Sequence, residues 1–303
     1  MEIELVAENL QFPVGPVAMA DGSIILTEIR AGRVSRVWPD GRIETVAETG
    51  GGPNGLAIGP DGALYVCNNG GRFSWIDVPG AMYPSEAPPE HKGGSIQRID
   101  LATGKLTTLY DNFDGKPLWA PNDLVFDNTG GFWFTDHSRS DHETLNYGGL
   151  YYARPDGSSI VQVRNHMISL NGVGLSPDER VVYAADTQLG RLWAFDLTGP
   201  GQIGSFPPGY PGRVVANLPG FQLVDSLAVE AGGKVCVATI INGGITAFDP
   251  DGSLEHFAFP DLLTTNICFG GADMRDAWVT CSSSGKLYKC RWPRPGLKLN
   301  FNG

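Results

Sequence analysis

Hydrophobic and polar residues follow one pattern that recurs six times along the chain. Each copy has a short apolar run, a turn rich in Gly, Pro or Asp, and a second run of β-branched and aromatic residues. Two such runs joined by such a turn predict a β-hairpin, and no stretch shows a sustained helical period. The copies read VGPVAMADGSIILTE, PNGLAIGPDGALYVCN, PNDLVFDNTGGFWFTD, LNGVGLSPDERVVYAAD, VDSLAVEAGGKVCVAT and TNICFGGADMRDAWVT.

The spacing of the copies predicts the fold. Equivalent positions lie 40, 68, 49, 54 and 41 residues apart, which matches the blades of a propeller with loops of unequal length. We therefore predict an all-β fold, a six-bladed β-propeller, as a single domain over residues 1–303. An N-terminal strand at residues 3–6 is expected to close the last blade by pairing with residues 285–290. The Pro-rich insertion at residues 72–93 is either a lid over one face or a disordered excursion.

Composition limits the partners and the cellular location that we expect for this protein. The net charge of −11, from 22 basic and 33 acidic residues, argues against nucleic acid or an anionic membrane as a partner. No apolar run is long enough to cross a bilayer, and the N-terminus does not resemble a signal peptide. Five cysteines without metal-ligand spacing are expected to be reduced and mostly buried. We expect a cytoplasmic protein, a monomer by default, whose partner is a small-molecule substrate.

Candidate chemistry comes from the residue near the start of each copy. The innermost strand of a blade lines the central channel, so these residues should converge at the channel mouth. Amide and carboxylate oxygens in a ring suit a hard cation such as Ca²⁺. Asn and Asp also recur before strands because they bind turn backbone groups, although five polar copies of six favour a site. We call this set the mouth ring: Val14, Asn54, Asn122, Asn171, Asp225 and Asn266.

A second set of residues returns to the same end of each hairpin, 14 or 15 positions later. Most of its members are polar and could orient the mouth ring, but Asp136 and Asp186 could equally cap strand ends. His137 is the histidine that the repeat places at the mouth, and we expect the others, His91, His142, His166 and His256, to be solvated. The second set is Glu28, Asn68, Asp136, Asp186, Thr239 and Thr280.

The third, fourth and fifth copies, in that order, carry a resemblance to the senescence marker protein/gluconolactonase family of six-bladed propellers. The resemblance covers essentially the whole chain and implies a divalent metal at the channel mouth of an enzyme that opens lactone rings. It implies that Asn171 and Asp225 are metal ligands, that Asn122 contacts metal or substrate, and that Asp225 is the general base or nucleophile. The metal expected first is Ca²⁺, with Zn²⁺, Mn²⁺, Mg²⁺ and Fe²⁺ as alternatives.

One position departs from the family pattern. The family's first blade has Glu before Gly-Pro, whereas this chain has Val14, which offers no donor atom. Asn122, Asn171 and Asp225 remain as oxygen ligands, and Glu28 is a possible compensating ligand from the neighbouring strand. The alternative function is a propeller with a degenerate metal site, acting as a binding protein or in metal-independent, non-hydrolytic chemistry.

Under the lactonase hypothesis the remaining rim would contact the substrate. Hydrogen bonds to it are predicted from Asn54, Asn68, His137 and Asn266, and an apolar wall from Trp119. The sequence contains no Gly-x-Ser-x-Gly motif and no paired histidines of the zincin type, so those two schemes of hydrolysis find less support.

Overall fold

Each copy of the repeat forms the two inner strands of an antiparallel sheet, as the hairpin pattern predicts. The computed structural model describes residues 1–141 and 143–302, and that part of the chain contains strands and turns but no helix. The strands, in chain order, are β1 (Ile3–Ala7), β2 (Pro13–Ala18), β3 (Ile24–Glu28), β4 (Arg33–Val37), β5 (Ile43–Glu48), β6 (Pro53–Ile58), β7 (Leu64–Asn68), β8 (Trp75–Val78), β9 (Ala81–Pro84), β10 (Ser95–Ile99), β11 (Leu106–Tyr110), β12 (Asn112–Phe113), β13 (Lys116–Pro117), β14 (Pro121–Phe126), β15 (Phe132–Asp136), β16 (Gly148–Ala153), β17 (Ile160–Met167), β18 (Leu170–Leu175), β19 (Val181–Asp186), β20 (Arg191–Gly199), β21 (Gln202–Ile203), β22 (Arg213–Asn217), β23 (Leu223–Val229), β24 (Val235–Ile240), β25 (Gly244–Phe248), β26 (Leu254–Ala258), β27 (Thr264–Gly270), β28 (Asp276–Cys281) and β29 (Lys286–Arg291).

Six sheets form the blades of a propeller. Their strand orders are β2-β3-β4-β5, β6-β7-β10-β11, β14-β15-β16-β17, β18-β19-β20-β22, β23-β24-β25-β26 and β27-β28-β29-β1. The N-terminal strand completes the sixth blade, with Ile3 opposite Cys290 and Leu5 opposite Tyr288. Both the six-bladed fold and this closure confirm the sequence predictions. Closure matters because it joins the N-terminal segment, which precedes the first blade, to the last blade by backbone hydrogen bonds and so holds the ring together.

The first strand of each sheet lies innermost. Neighbouring inner strands pack on one another around the circle, including β2 against both β6 and β27. The apolar cores lie between adjacent sheets. One such core joins Trp133 of the third blade to Trp193 and Phe195 of the fourth, and all three are buried. The propeller is thus held by six inter-blade cores that surround a channel.

Glycines in the inner strands allow adjacent blades to approach closely. A Cβ atom on Gly172 of β18 would lie 2.6 Å from the backbone nitrogen of Leu227 in β23. A Cβ atom on Gly55 of β6 would lie 2.7 Å from the backbone oxygen of Asn122 in β14. Neither neighbour can move without shifting a strand that lines the channel. The ring therefore depends on small residues directly after the polar residues of the mouth.

We expect Gly172→Ala to lower the free energy of unfolding by about 2 kcal/mol, because the added methyl group meets backbone of the next blade. Gly232→Ala is the matched control, since nothing lies within 4 Å of its Cβ position. Chemical denaturation of the two variants checks the prediction. Equal stability of both variants would show that the fourth and fifth blades can separate at little cost.

No helix in the described residues is long and apolar enough to span a membrane. The five cysteines are unpaired, and all except Cys268 are buried.

Candidate functional site

The residues of the mouth ring lie at the same end of the inner strands, and four of them share one backbone irregularity. In each of four blades the pairing between the first and second strands slips at the ring position. Such β-bulges break the ladder and turn a side chain away from its regular alternation. The four residues inside these bulges are Asn54, Asn122, Asn171 and Asp225.

Val14 and Asn266 differ from the other four. Both remain in register, with Val14 opposite Thr27 and Asn266 opposite Thr280. The Oδ1 atom of Asn266 accepts a hydrogen bond of 2.7 Å from the backbone N–H of Ile267. The structure therefore separates a group of four equivalent polar residues from two positions that do not match it.

Two amide oxygens of this group have no partner. The Oδ1 atoms of Asn54 and Asn122 are inaccessible to solvent and accept no hydrogen bond within the described residues. Buried amide oxygens are seldom left unpaired, because their loss of hydration is then uncompensated. A metal ion, or a hydroxyl group of a ligand, would satisfy these atoms.

Asn171 and Asp225 form a connected pair. Ser226 donates from its backbone N–H to Asp225 Oδ1 at 3.0 Å and from its hydroxyl to Asn171 Oδ1 at 3.3 Å. The Asn171 amide nitrogen donates to Thr187 Oγ1 at 3.1 Å, which fixes the direction of its oxygen. Burial raises the pKa of Asp225 to about 7, although a hydrogen bond from Asn171 opposes this shift.

Asp123 is a buried acid that the sequence analysis missed. It follows Asn122 on β14 and its Oδ1 atom accepts the Leu124 backbone N–H at 3.0 Å. Burial raises its pKa to about 7, and its charge in turn raises the pKa of Asp225. The Pro-Asn-Asp triplet was a visible signal, but only the bulge brings two successive polar residues into the same region.

The donor set fits a hard divalent cation. Asn122, Asn171 and Asp225 offer oxygen atoms, and Asn122 Oδ1 has no hydrogen-bond partner among the described residues. A cation would also favour the ionised forms of Asp123 and Asp225, whose charges repel each other. Among residues 1–141 and 143–302 there is no group of three or more His, Cys, Asp or Glu side chains arranged for a metal. Binding would therefore depend on amide oxygens as well as on Asp225.

Val14 lies in an apolar corner of the mouth. It is 2% exposed and packs with Phe12, Ile29 and Leu263. The insertion at residues 72–93 covers this cluster with the β8–β9 hairpin. Side chains of the insertion that pack on the cluster are Phe73, Trp75, Met82 and Tyr83.

The insertion spans several blades, which makes it a lid rather than a disordered excursion. Its Trp75 ring lies 5.0 Å from the Phe12 ring, and Asp77 pairs with Arg30 of the first blade. The backbone N–H of Met82 donates to Ser283 of the sixth blade at 2.9 Å. The first-blade corner is thus filled by hydrocarbon and offers no ligand for a cation.

Glu28 cannot be assigned to the mouth. Its carboxylate is fully buried and accepts hydrogen bonds from Arg33 at 2.7 and 3.1 Å, from Ser35 and from the Gln11 backbone at 2.7 Å. Both oxygens are occupied by these donors. We therefore leave Glu28 out of the proposed ligand set.

Three other members of the second set, Asn68, Asp136 and Asp186, are also occupied by hydrogen bonds to nearby residues. Asp136 accepts the backbone N–H groups of Trp119 and Ala120, and Asp186 accepts that of Ser169. The amide of Asn68 makes four hydrogen bonds, to Gly50, Gly52, Gly70 and Gln97. These side chains cap the segment that leads into each inner strand, which supports the capping alternative and leaves Asn68 little capacity for substrate.

The solvent exposure of the histidines matches the prediction at two positions and differs from it at a third. His166 and His256 are exposed, as expected, and His142 lies outside the described residues. His91 was expected to be solvated, but it is 7% exposed and its Nε2 atom lies 2.8 Å from the Asn69 carbonyl oxygen. Burial and the Arg72 charge lower the pKa of His137 to about 3, so this ring is neutral.

A cavity of about 660 Å³ occupies the channel beyond the ring. Its wall includes Asp123 and Asn266, with apolar residues such as Leu175, Val229 and Phe269 further along. Asn266 therefore borders the interior of the channel. Trp119, the predicted apolar wall, is half-buried with its ring centre 6.4 Å from that of His91.

Comparison with known proteins identifies the family of the chain. The family model for the SMP-30/Gluconolactonase/LRE-like region matches residues 12–283. A gluconolactonase of Zymomonas mobilis is 26% identical over 299 residues, covering 88% of this chain and 76% of that protein.

Two solved structures share the fold. A gluconolactonase from Xanthomonas campestris has a TM-score of 0.76 and 24% identity, covering 96% of this chain and 89% of the other. A calcium-binding regucalcin from Agrobacterium tumefaciens has a TM-score of 0.75 and 18% identity, covering 98% of each chain. At these identities the two structures bear on the fold alone.

Proposed function

Because the chain belongs to the SMP-30/gluconolactonase/LRE-like family, we propose that it is an enzyme that hydrolyses a lactone at the mouth of its central channel. The observation that carries this proposal is the set of four polar residues held in equivalent β-bulges, two of which have unpartnered buried oxygens. The gluconolactonase of Zymomonas mobilis supports a sugar lactone as the substrate class.

In the proposed site Asn122, Asn171 and Asp225 hold one divalent cation. A bound cation supplies Lewis acidity toward the carbonyl oxygen of the lactone and stabilises negative charge that develops there. The calcium-binding regucalcin with the same fold supports Ca²⁺ as the first ion to test. Asn171 is prepared for this role because Thr187 accepts a hydrogen bond from its amide nitrogen and the Ser226 hydroxyl donates to its oxygen, which together fix the amide orientation.

Asp225 promotes attack on the lactone carbonyl in one of two ways. It either removes a proton from the attacking water or attacks the carbonyl itself and forms an acyl intermediate that water then cleaves. In both cases the ester C–O bond breaks, the released ring oxygen takes a proton, and the product is a hydroxy acid. The side chain of Asp225 keeps partial exposure to solvent, unlike the buried Asp123, so water and substrate can reach it.

The surrounding rim would position the substrate. Asn54 Oδ1 and His137 Nδ1 are buried acceptors without partners in the described part of the chain, so each can accept a hydrogen bond from a substrate hydroxyl group. Trp119 offers an apolar face near them. A polyhydroxylated ring lactone has the complementary donors, which supports a sugar lactone over a purely aliphatic one.

The hydrocarbon around Val14 favours a second candidate, metal-independent chemistry or binding without hydrolysis. Val14 replaces a ligand position of the family and is sealed under the β8–β9 lid. A site with one fewer carboxylate binds divalent cations more weakly. The two candidates differ in their response to a chelator.

Acid release in a pH-stat tests the proposed function. Sugar, aliphatic and aromatic lactones are supplied with and without chelator, and Ca²⁺, Mn²⁺ or Zn²⁺ is then added back. We expect turnover of a sugar lactone that chelator lowers by at least about tenfold and that one of these ions restores. A turnover rate that chelator does not change would favour metal-independent chemistry. No turnover under any condition would contradict the lactonase assignment.

A further inference from the structure

Arg72, at the start of the insertion, is a buried cation without a carboxylate partner. It is 7% exposed, and its guanidinium donates to the Ser138 carbonyl at 2.8 Å and to Ser140 Oγ at 3.3 Å. Within the described ranges no carboxylate lies at ion-pair distance from it; the nearby Asp136 is occupied by three backbone N–H groups. Burial lowers the pKa of Arg72 to about 10, so it remains charged at neutral pH.

Other polar side chains around Arg72 also lack partners. Among residues 1–141 and 143–302, Arg139 Nε and Asn69 Nδ2 are buried donors with no acceptor, and His91 Nδ1 is a buried ring nitrogen with no partner. Asn69 and His91 are 2% and 7% exposed. The Asn69 Oδ1 atom accepts the Arg72 backbone N–H at 3.0 Å, and both guanidinium groups lower the pKa of His91. These residues therefore form one cluster, which we call the arginine cluster: Asn69, Arg72, His91 and Arg139.

The chemistry of the cluster is complementary to a hydroxy acid. Arg72, Arg139 and Asn69 supply surplus donors. The charge of Arg139 is partly offset by Asp141, whose Oδ2 atom lies 3.7 Å from Arg139 Nη1, whereas Arg72 has no such partner among the described residues. Since His91 Nε2 faces a carbonyl oxygen and must carry a proton, its Nδ1 atom is an acceptor for a hydroxyl group. A carboxylate is the group that guanidinium donors bind best in a buried setting, and its charge would offset theirs.

The cluster lies beside the mouth ring. Asp136 pairs with Pro121, and the backbone N–H of His137 donates to the Ala120 carbonyl at 2.9 Å, so His137 lies beside the segment that leads into Asn122. The Arg72 charge acts on His137. The His91 ring lies 6.4 Å from the Trp119 ring. Arg139, whose side chain is 21% exposed, opens the cluster to solvent. A substituent on a substrate bound at the ring can therefore reach it.

We infer that the arginine cluster is a subsite for a carboxylate carried by the substrate, so that the substrate is a sugar lactone with a second acidic group. This inference rests on the proposed lactonase function for the reaction, but the binding of the carboxylate can be measured without turnover. A purely structural role for Arg72, as a clamp between the loops at residues 69–72 and 138–140, predicts no dependence on substrate charge.

The test compares D-glucaro-1,4-lactone, which carries a carboxylate, with the neutral D-glucono-1,4-lactone. The variants are Arg72→Met, Arg72→Lys and Arg139→Gln, with Arg213→Gln as the control. Arg213 is an exposed residue of the outer strand β22 that pairs with Asp196. Unfolding midpoints identify any variant that fails to fold, and the partly exposed Arg139 provides a variant that should retain its structure.

We expect wild-type protein to prefer the acidic lactone. Arg72→Met should raise KM for that lactone by about 30-fold, and Arg139→Gln by a smaller factor, with kcat little changed. KM for the neutral lactone should stay within twofold, Arg72→Lys should recover part of the loss, and Arg213→Gln should match wild type. Equal loss on both lactones, or a wild-type preference for the neutral one, would overturn the subsite.

Calorimetric titration with D-glucarate separates this inference from the proposed function. If neither lactone is hydrolysed, binding of glucarate that Arg72→Met and Arg139→Gln weaken, and Arg213→Gln does not, supports the subsite although the lactonase assignment fails. Hydrolysis of the neutral lactone together with no glucarate binding by wild type overturns the subsite and leaves the lactonase assignment standing.

Discussion

Asp225→Asn should lower kcat for lactone hydrolysis by about 10³-fold or more while the protein remains folded. Asn has the shape of Asp but can neither take a proton from water nor attack a carbonyl, and it removes the only carboxylate among the three proposed ligands. Asp196→Asn, on the outer strand β20, is the matched control and should retain wild-type turnover.

Kinetics on the best lactone of the panel, with unfolding midpoints of both variants, check this prediction. The midpoint of Asp225→Asn should equal or exceed that of wild type without metal, because the variant removes a buried acid whose pKa is raised by burial and by Asp123. Turnover within tenfold of wild type would exclude Asp225 as base or nucleophile.

Val14→Glu should make the stability of the protein depend on a divalent cation. Without metal the new carboxylate lies among Phe12, Ile29 and Leu263, and we expect it to lower the free energy of unfolding by about 3 kcal/mol. With Ca²⁺ present the carboxylate becomes a fourth ligand of the ring, and saturation at 100 times Kd would restore about 2.7 kcal/mol.

Val14→Gln is the matched control, because it has the same shape without the charge. Denaturation of both variants in chelator and in Ca²⁺ measures the difference, and calorimetry should show tighter Ca²⁺ binding by Val14→Glu than by wild type. If Ca²⁺ leaves the stability of Val14→Glu unchanged, position 14 is not equivalent to the family's ligand position.

Most of the fold was predictable because the hairpin pattern repeats along the sequence. A hairpin pattern at blade-like spacing determines both the number of blades and the end of each blade at which Asn54, Asn122, Asn171 and Asp225 lie. Closure by the N-terminal strand followed because a ring of blades needs a connection between its first and last members. These features depend on patterns that are local or periodic, and such patterns can be seen in one sequence.

The details of the site depend on which partner each side chain finds, and sequence does not show that. Glu28 and Asn68 had the right position in the repeat, but nearer donors and acceptors occupy them. His91 lies in a Pro-rich insertion that resembles solvated loop, and only the tertiary fold buries it. Asp123 was overlooked because strand alternation places consecutive residues on opposite faces, a rule that the β-bulge suspends.

Val14 and the insertion together form the apolar side of the channel mouth. Val14 places no charged group in the first-blade corner, and the β8–β9 lid packs on that corner through Phe73, Trp75, Met82 and Tyr83. A carboxylate there would oppose this packing unless a cation neutralised it. The chain therefore combines a closed apolar side of the mouth with a polar side formed by the fourth and fifth blades and the arginine cluster.

The most direct measurement is anomalous diffraction from crystals grown with Mn²⁺. One anomalous peak at the channel mouth, within about 2.5 Å of oxygen atoms of Asn122, Asn171 and Asp225, is the result that we predict. A peak elsewhere, or none at saturating Mn²⁺, would contradict the assignment of these three residues as a metal centre.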